Sequence, residues 1–243
     1  MTFAALGIRT LALFTVGALL MAFGTVGKPR AVRNARVLKF VTYFVIVHAV
    51  VALCAVGGAA PLALVSVILA VSAWEAVRAG VRMASPRPWP LATVAAAVAV
   101  AAVTAARLLD PRVVAWLFVV TGACDGFSQV IGQWLGRRAL APRVSPEKTV
   151  EGSIGGIAGA LLVAIWLRSL TPFNAAGAAT FGAFIAVAAL AGDLAGSWTK
   201  RRAGIKDFSR LLPGQGGVLD RFNSFIAALG TVGLLIGMAW TMR

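Results

Sequence analysis

FVTYFVIVHAVVALCAVGG, residues 40–58, is a stretch of nineteen residues with no acid or base except His48. As a helix it is long enough to cross a hydrocarbon core of roughly 30 Å, and unbroken apolar runs of this length are rare in water-soluble folds. Similar stretches recur along the chain, and spans are expected near 5–26, 40–58, 61–81, 89–107, 113–135, 152–170, 176–198 and 223–241. Of the 243 residues, 60% are hydrophobic and 13% charged, with a mean hydropathy of +0.88. A soluble domain of this length needs far more polar surface, so the bilayer serves as solvent. The expected fold is an all-α, polytopic transmembrane bundle of about eight spans. Residues 1–110 form its N-terminal helices and 111–243 its C-terminal helices, within one integrated membrane domain. The first stretch carries no small-residue cleavage site and reads as a retained span, not a signal peptide.

The net charge of +15 raises the question of nucleic acid. The position of the cations answers it. One loop holds Lys28, Arg30, Arg33, Arg36 and Lys39, and the next on that side holds Arg78, Arg82 and Arg87. A third holds Arg137, Arg138, Arg143 and Lys148, and the last holds Lys200, Arg201, Arg202, Lys206, Arg210 and Arg221. Eighteen of the 23 Lys and Arg residues thus gather on one face, leaving Arg9, Arg107, Arg112, Arg168 and Arg243 for the other. Such asymmetry marks the cytoplasmic side of a membrane protein and places both termini outside the cytoplasm. Anionic headgroups, not nucleic acid, are the natural partners of these loops. Pro86, Pro88 and Pro90 break the chain ahead of the fourth span. Cys54 and Cys124 lie inside spans without metal-ligand spacing and read as apolar packing residues. His48, remote in sequence from the acids, reads the same way. Most of the seven tryptophans, Trp89 and Trp198 among them, lie near expected span ends and suit an interfacial belt, although Trp134 and Trp198 also flank the acidic region.

The eight acids are Glu75, Asp110, Asp125, Glu147, Glu151, Asp193, Asp207 and Asp220. Asp125 falls within a span and Asp193 in the last turns of another. An ionised group at such depth costs several kcal/mol on insertion scales unless paired, hydrated or bound to a cation, so both are candidate site residues. The bland reading is an ion pair between helices. Ser145-Pro146-Glu147-Lys148-Thr149-Val150-Glu151-Gly152 supplies hydroxyls, an ammonium and a carboxylate just before a helix, where free N–H groups and the dipole suit phosphate. A capped, solvated loop would look alike. The second segment runs from Gly192-Asp193 through Ser197, Thr199-Lys200-Arg201 and Lys206-Asp207 to Pro213-Gly214-Gln215-Gly216-Gly217, and ends with Asp220-Arg221-Phe222-Asn223-Ser224. Acids for a hard cation, bases for phosphate oxygens and glycines for close backbone approach fit a metal-bound polyphosphate. A basic loop that merely grips anionic lipid explains the cations but not the acids on either side of them.

Residues 197–223 resemble the signature of phosphatidate cytidylyltransferases: Ser-x-x-Lys-Arg, Lys-Asp, Pro-Gly-His-Gly-Gly, then Asp-Arg-x-Asp. Ser197, Lys200, Arg201, Lys206, Asp207, Pro213, Gly214, Gly216, Gly217, Asp220 and Arg221 match in register. Ser145, Lys148, Thr149, Glu151 and Gly152 are similar to that family's second motif, and Asp125 aligns with an acid preceding it. The resemblance covers about 115 to the C-terminus. It implies transfer of CMP from CTP to phosphatidate, giving CDP-diacylglycerol and pyrophosphate in phospholipid synthesis at a bacterial inner membrane. It assigns Asp193 and Asp220 to Mg²⁺, with Asn223 a weak third ligand and a second cation allowed. Lys200, Arg201, Lys206 and Arg221 would hold phosphates, with Asp207 and Gln215 beside them. Ser145, Lys148, Thr149, Glu151, Ser197 and Asp125 would complete the nucleotide or headgroup site, and Gly214, Gly216 and Gly217 would let backbone reach the nucleotide. The implied partners are CTP, phosphatidic acid or a related lipid phosphate, and membrane lipids, with room for a homodimer.

Three neutral replacements depart from the family pattern: Gln215 for its histidine, Asn223 for its last aspartate and Gly196 for a glutamate. The Asp125-Gly126-Phe127-Ser128-Gln129 stretch differs too. An amide keeps an oxygen but loses a charge, which weakens a divalent site, and a glutamine cannot shuttle a proton. The alternative is therefore a catalytically silent or substrate-altered relative that binds lipid or nucleotide or scaffolds a lipid enzyme. A transporter is a weaker reading, since its charges would line a path through the bilayer.

Overall fold

A computed structural model describes residues 2–81 and 89–242, so Arg82, Pro86, Arg87, Pro88 and Arg243, as well as the Trp89 side chain, lie outside the described residues. The described residues form eight helices: α1 (Phe3–Gly24), α2 (Arg30–Val56), α3 (Ala60–Gly80), α4 (Trp89–Leu108), α5 (Pro111–Leu135), α6 (Val150–Trp166), α7 (Ala175–Arg202) and α8 (Val218–Thr241). Helices α2, α3, α5, α7 and α8 are long and apolar enough to cross a membrane. The other three carry apolar runs over 3–19, 92–108 and 150–166, near the lower length limit for a span. Exposed Val45, Val67, Leu162 and Leu234 face outward, where lipid replaces water. The chain is a multi-pass membrane protein.

Helix α5 is the axis of the bundle. Its residues from Val114 to Thr121 are all buried, and it packs on α2, α6, α7 and α8. Lipid tails are as apolar as leucine, so helices in a bilayer associate through close van der Waals contact, which small residues permit. The α5–α6 seam follows this rule. Gly152, Gly155, Gly156 and Gly159 share one face of α6, and a Cβ on any of them would run into Ser128, Ile131, Cys124 or Phe127 of α5. At the α4–α8 contact, Gly233 lies against the Ala101 carbonyl and Gly230 against that of Val98.

Two elements differ from the sequence reading. Helix α2 begins at Arg30, ten residues before the expected span, so the basic segment is a helical extension and not a loop. A short antiparallel hairpin, β1 (Ala139–Ala141) and β2 (Ser145–Thr149), replaces the expected loop before α6. Both cysteines are buried and free. His48 packs on Phe44 and Phe14, at ring-centroid distances of 4.1 and 5.5 Å, and its Nδ1 lies 2.9 Å from the Phe44 carbonyl. Trp116 departs from the interfacial belt: it is fully buried and donates from Nε1 to the Ala164 carbonyl at 3.2 Å.

Candidate active site

The motif residues meet at one end of the bundle, where α5, α7 and α3 end and α6 and α8 begin. Asp220 organises the lower part. It occupies the third position of α8, and its carboxylate accepts the Gly217 N–H at 2.9 Å, closing the free first turn of the helix. The same carboxylate accepts the Phe208 N–H at 2.7 Å and the Lys200 ammonium at 2.6 Å. Lys200 comes from the last turn of α7, so one acid ties together α7, the 203–217 loop and α8. The Asp220 side chain is only 5% exposed. Charge-assisted bonds of this kind are the strong ones, and three of them hold the loop in one shape.

The glycines of that loop have local reasons. Leu212 and Gly216 exchange backbone hydrogen bonds at 2.8 and 3.1 Å, a tight turn that places Gly214 at φ +70° and Gly216 at φ +87°. Side chains rarely adopt such angles. A Cβ on Gly217 would meet the Glu75 carboxylate at 2.5–2.8 Å. Glu75 itself is fully buried in α3. It accepts the N–H groups of Val218 (3.0 Å) and Leu219 (2.7 Å) and the Ser209 hydroxyl (2.5 Å). A negative charge there meets the positive end of α8 as well as its unpaired donors. Gln215 does not point at the acids. Its Nε2 donates to the Lys39 carbonyl of α2 at 2.8 Å, and the Thr42 hydroxyl donates to the Pro213 carbonyl at 3.0 Å.

Above this layer four charged side chains form a balanced cluster. Lys148 reaches Asp193 at 2.5 Å, and Arg221 reaches Asp125 at 3.5 Å. Asn223 donates from Nδ2 to Asp193 at 3.4 Å, and Ser224 donates to Asp125 at 3.1 Å. Arg221 also lies over the Tyr43 ring, 4.3 Å from its centroid. All four charged side chains keep 20–30% of their surface exposed, although the Lys148 ammonium nitrogen itself is buried. Two acids and two bases at this depth offset one another's desolvation.

The hairpin delivers Lys148. Behind it, Thr149 caps α6 by accepting the Gly152 N–H at 3.1 Å, and Glu151 accepts the Arg137 and Arg138 N–H groups at 3.0 and 3.2 Å. Arg201 donates to the Val144 carbonyl at 3.2 Å and pins the hairpin to α7. Of the second motif, Lys148 therefore enters the cluster, while Thr149 and Glu151 shape its approach and Ser145 sits on β2 opposite Ala141. Ser197 lies on α7. Lys206 and Asp207 line a separate loop pocket with Arg78 and Arg210. Asp193 and Asp220 share no partner: the first is held by Lys148 and Asn223, the second by Lys200 and two backbone N–H groups. The acid that the fold sets against Asp193 is Asp125. Among the described residues no three His, Cys, Asp or Glu side chains converge on a metal position.

Sequence reading gave no site role to Glu75, Tyr43 or Ser224. Glu75 carried a signal, since it is a lone acid inside the apolar 61–81 stretch. Tyr43 and Ser224 carried none, because their partners lie 178 and 99 positions away.

The model of the cytidylyltransferase family matches residues 89–239. A phosphatidate cytidylyltransferase of Synechocystis sp. is 42% identical over 112 residues, 45% of this chain and 38% of that protein. Proteins of the same name match from Brucella abortus (41% over 116 residues, 47% and 43%) and Haemophilus influenzae (40% over 125 residues, 47% and 42%). The chain spans about two fifths of the length of these curated relatives. The matched region includes both motifs and every helix that brings them together except α2 and α3. On that breadth of match, joined to motif residues that gather at one end of the bundle, the chain belongs to the cytidylyltransferase family.

Proposed function

We propose that this protein is a membrane nucleotidyltransferase that moves CMP from CTP to phosphatidate, giving CDP-diacylglycerol and pyrophosphate. A lipid phosphate oxygen attacks the α-phosphorus of CTP, the bond from that phosphorus to the bridging oxygen breaks, and pyrophosphate leaves with its electrons. The attacking phosphate is already ionised at neutral pH, so no strong base is required, and Gln215 in place of histidine is compatible with turnover. The observation that carries the reading is the charge-balanced cluster of Asp125, Arg221, Lys148 and Asp193, a few residues from the Lys200–Asp220 pair. An incoming triphosphate takes over Lys148, Arg221 and Lys200 as their present carboxylate partners are exchanged for phosphate oxygens, with Arg201 at the rim. The chain's task is to hold the two phosphates in line and neutralise their crowded charge.

The reading implies Mg²⁺, which takes one or two protein carboxylates and completes its shell with water and substrate phosphates. The donor set fits. Asp125 and Asp193 lie close enough to feel each other's charge, and the Ser224 hydroxyl supplies a further oxygen beside Asp125. Asp125 and Asp193 would hold the ion, which would draw negative charge from the triphosphate. Asn223 turns its amide nitrogen towards Asp193, so its oxygen joins only after the amide rotates. Asp220, with both oxygens engaged, serves to orient Lys200 and the loop. The site end faces the cytoplasm of a bacterial cell, where CTP is found, and both termini lie outside it. Purified protein in mixed micelles with labelled CTP, phosphatidate and Mg²⁺ should place label in lipid and release equimolar pyrophosphate. Label that never enters lipid, with phosphatidate or any other lipid phosphate, would overturn the proposal.

A further inference from the structure

Beside the charged cluster lie two adjoining concavities. One, of about 420 Å³, is lined by Ala70, Val71, Trp74 and Leu211. It opens on the outer face of α3, and Trp74 and Leu211 are 47% and 53% exposed. The other, of about 470 Å³, is lined by Arg78, Lys206, Arg210, Asp207, Phe208 and Ser209, with Ile205 at its edge. The first is a shallow, open apolar groove and the second a deeper polar hollow. They share walls. Trp74 and Arg78 stand one turn apart on α3, with the Arg78 guanidinium 4.7 Å from the indole centroid, and Arg210 and Leu211 are consecutive. The floor is fixed from beneath, because Ser209 bonds to buried Glu75, and Ala79, Ala203 and Phe208 pack as a small core.

We propose that this double notch is the seat of the acceptor lipid, a membrane lipid ending in a phosphomonoester, with its headgroup among Arg78, Lys206 and Arg210 and one acyl chain along Trp74 and Leu211. The assignment rests on the functional reading above. Among the described residues, three cations and one carboxylate line the polar chamber, an excess that suits a phosphomonoester of roughly −1.5 to −2 charge better than a singly charged phosphodiester. An acyl chain gains little by leaving the bilayer for an apolar groove, so the groove sets orientation while the cations supply the selectivity. The polar chamber also points to the chemistry. Phe208 lines it, donates its N–H to Asp220 and keeps its ring 5.6 Å from the Lys200 ammonium. A headgroup there is next to the phosphate-holding residues, and its tail has not left the membrane side of α3.

The test uses two variants, Arg78→Gln with Arg210→Gln to strip the chamber, and Ala70→Trp to fill the groove. Each is measured for CTP turnover in mixed micelles and, independently of turnover, for lipid retained by detergent-purified protein in native mass spectrometry. Wild-type protein should retain phosphatidate over phosphatidylcholine, and inorganic phosphate should fail to displace it. Both variants should lose that retention and raise the lipid KM by about tenfold, with the CTP KM changing by less than about twofold. Unchanged retention in both variants, an equal rise in both KM values, or displacement by free phosphate overturns the proposal. Lipid retention without turnover would sink the cytidylyltransferase reading and leave this site standing. Turnover with both variants unaffected would do the reverse.

Discussion

The space that a side chain at position 196 would need is occupied by the amide of Asn223, since a Cβ on Gly196 would lie 2.6 Å from its Nδ2. Two of the three departures from the family signature are thus one change in space. Carboxylates at both positions would crowd Asp193 and demand a cation, whereas glycine and asparagine remove two negative charges together. Gly196→Glu alone should drive the new side chain into Asn223 and lower stability by about 1–3 kcal/mol. Asn223→Asp alone should lower the Mg²⁺ concentration for half-maximal activity and lower the unfolding midpoint in EDTA. The double variant should deviate from additivity, because the residues touch. Strictly additive effects on thermal unfolding and Mg²⁺ titration would show that the two positions are independent.

Gln215 acts as an anchor of the glycine turn on α2. Gln215→Ala should cost about 0.5–1.5 kcal/mol through the lost bond to the Lys39 carbonyl. It should reduce turnover several-fold without changing the shape of the pH–rate profile. A lost or displaced limb in that profile would instead mark Gln215 as part of the proton chemistry.

Glu75 closes the start of α8 from a neighbouring helix. Glu75→Ala strands the N–H groups of Val218 and Leu219 and should destabilise by roughly 2–4 kcal/mol. Ser209→Ala removes only one bond to the same carboxylate and should cost about 1 kcal/mol. Chemical unfolding in detergent separates the two. A Glu75→Ala protein as stable as wild type would show that the α8 terminus is held some other way.

The span pattern was readable because hydrophobic runs must match the bilayer, and Asp125 and Asp193 were readable because charge at depth is conspicuous. The helical start of α2 was hidden by Arg30, Arg33, Arg36 and Lys39, which are polar enough for a loop yet good helix formers, so the helix runs on past the membrane. The hairpin was hidden because Ser145–Thr149 has no apolar alternation and pairs through its backbone alone. The pairing of Asp220 with Lys200 and Phe208, rather than with Asp193, depends on how a glycine turn closes, and residue order does not reveal that closure.

The one-sided cations predict orientation. Single-cysteine variants at Arg138 and Arg210 should be shielded from a membrane-impermeant thiol reagent in intact cells and labelled once the membrane is opened. Labelling of either from outside would invert the topology and move the charged cluster away from the nucleotide.

Asp193 and Asp220 should differ in how they fail. Asp193 is 30% exposed and paired with a lysine that phosphate can draw away, so Asp193→Asn should abolish Mg²⁺-dependent CTP binding while lowering the unfolding midpoint less than Asp220→Asn does. Asp125→Asn should do the same, because the two carboxylates interact and act together. Asp220 is nearly enclosed and holds three donors, so Asp220→Asn leaves Lys200 without its counter-charge and weakens the cap of α8. That variant should lose stability by about 2–4 kcal/mol, and its CTP affinity should fall at every Mg²⁺ concentration alike. Calorimetric CTP titrations across a Mg²⁺ series, paired with thermal unfolding, read both quantities. If Asp220→Asn keeps its stability and loses only the Mg²⁺ dependence, Asp220 is a metal ligand and the Asp125–Asp193 assignment falls.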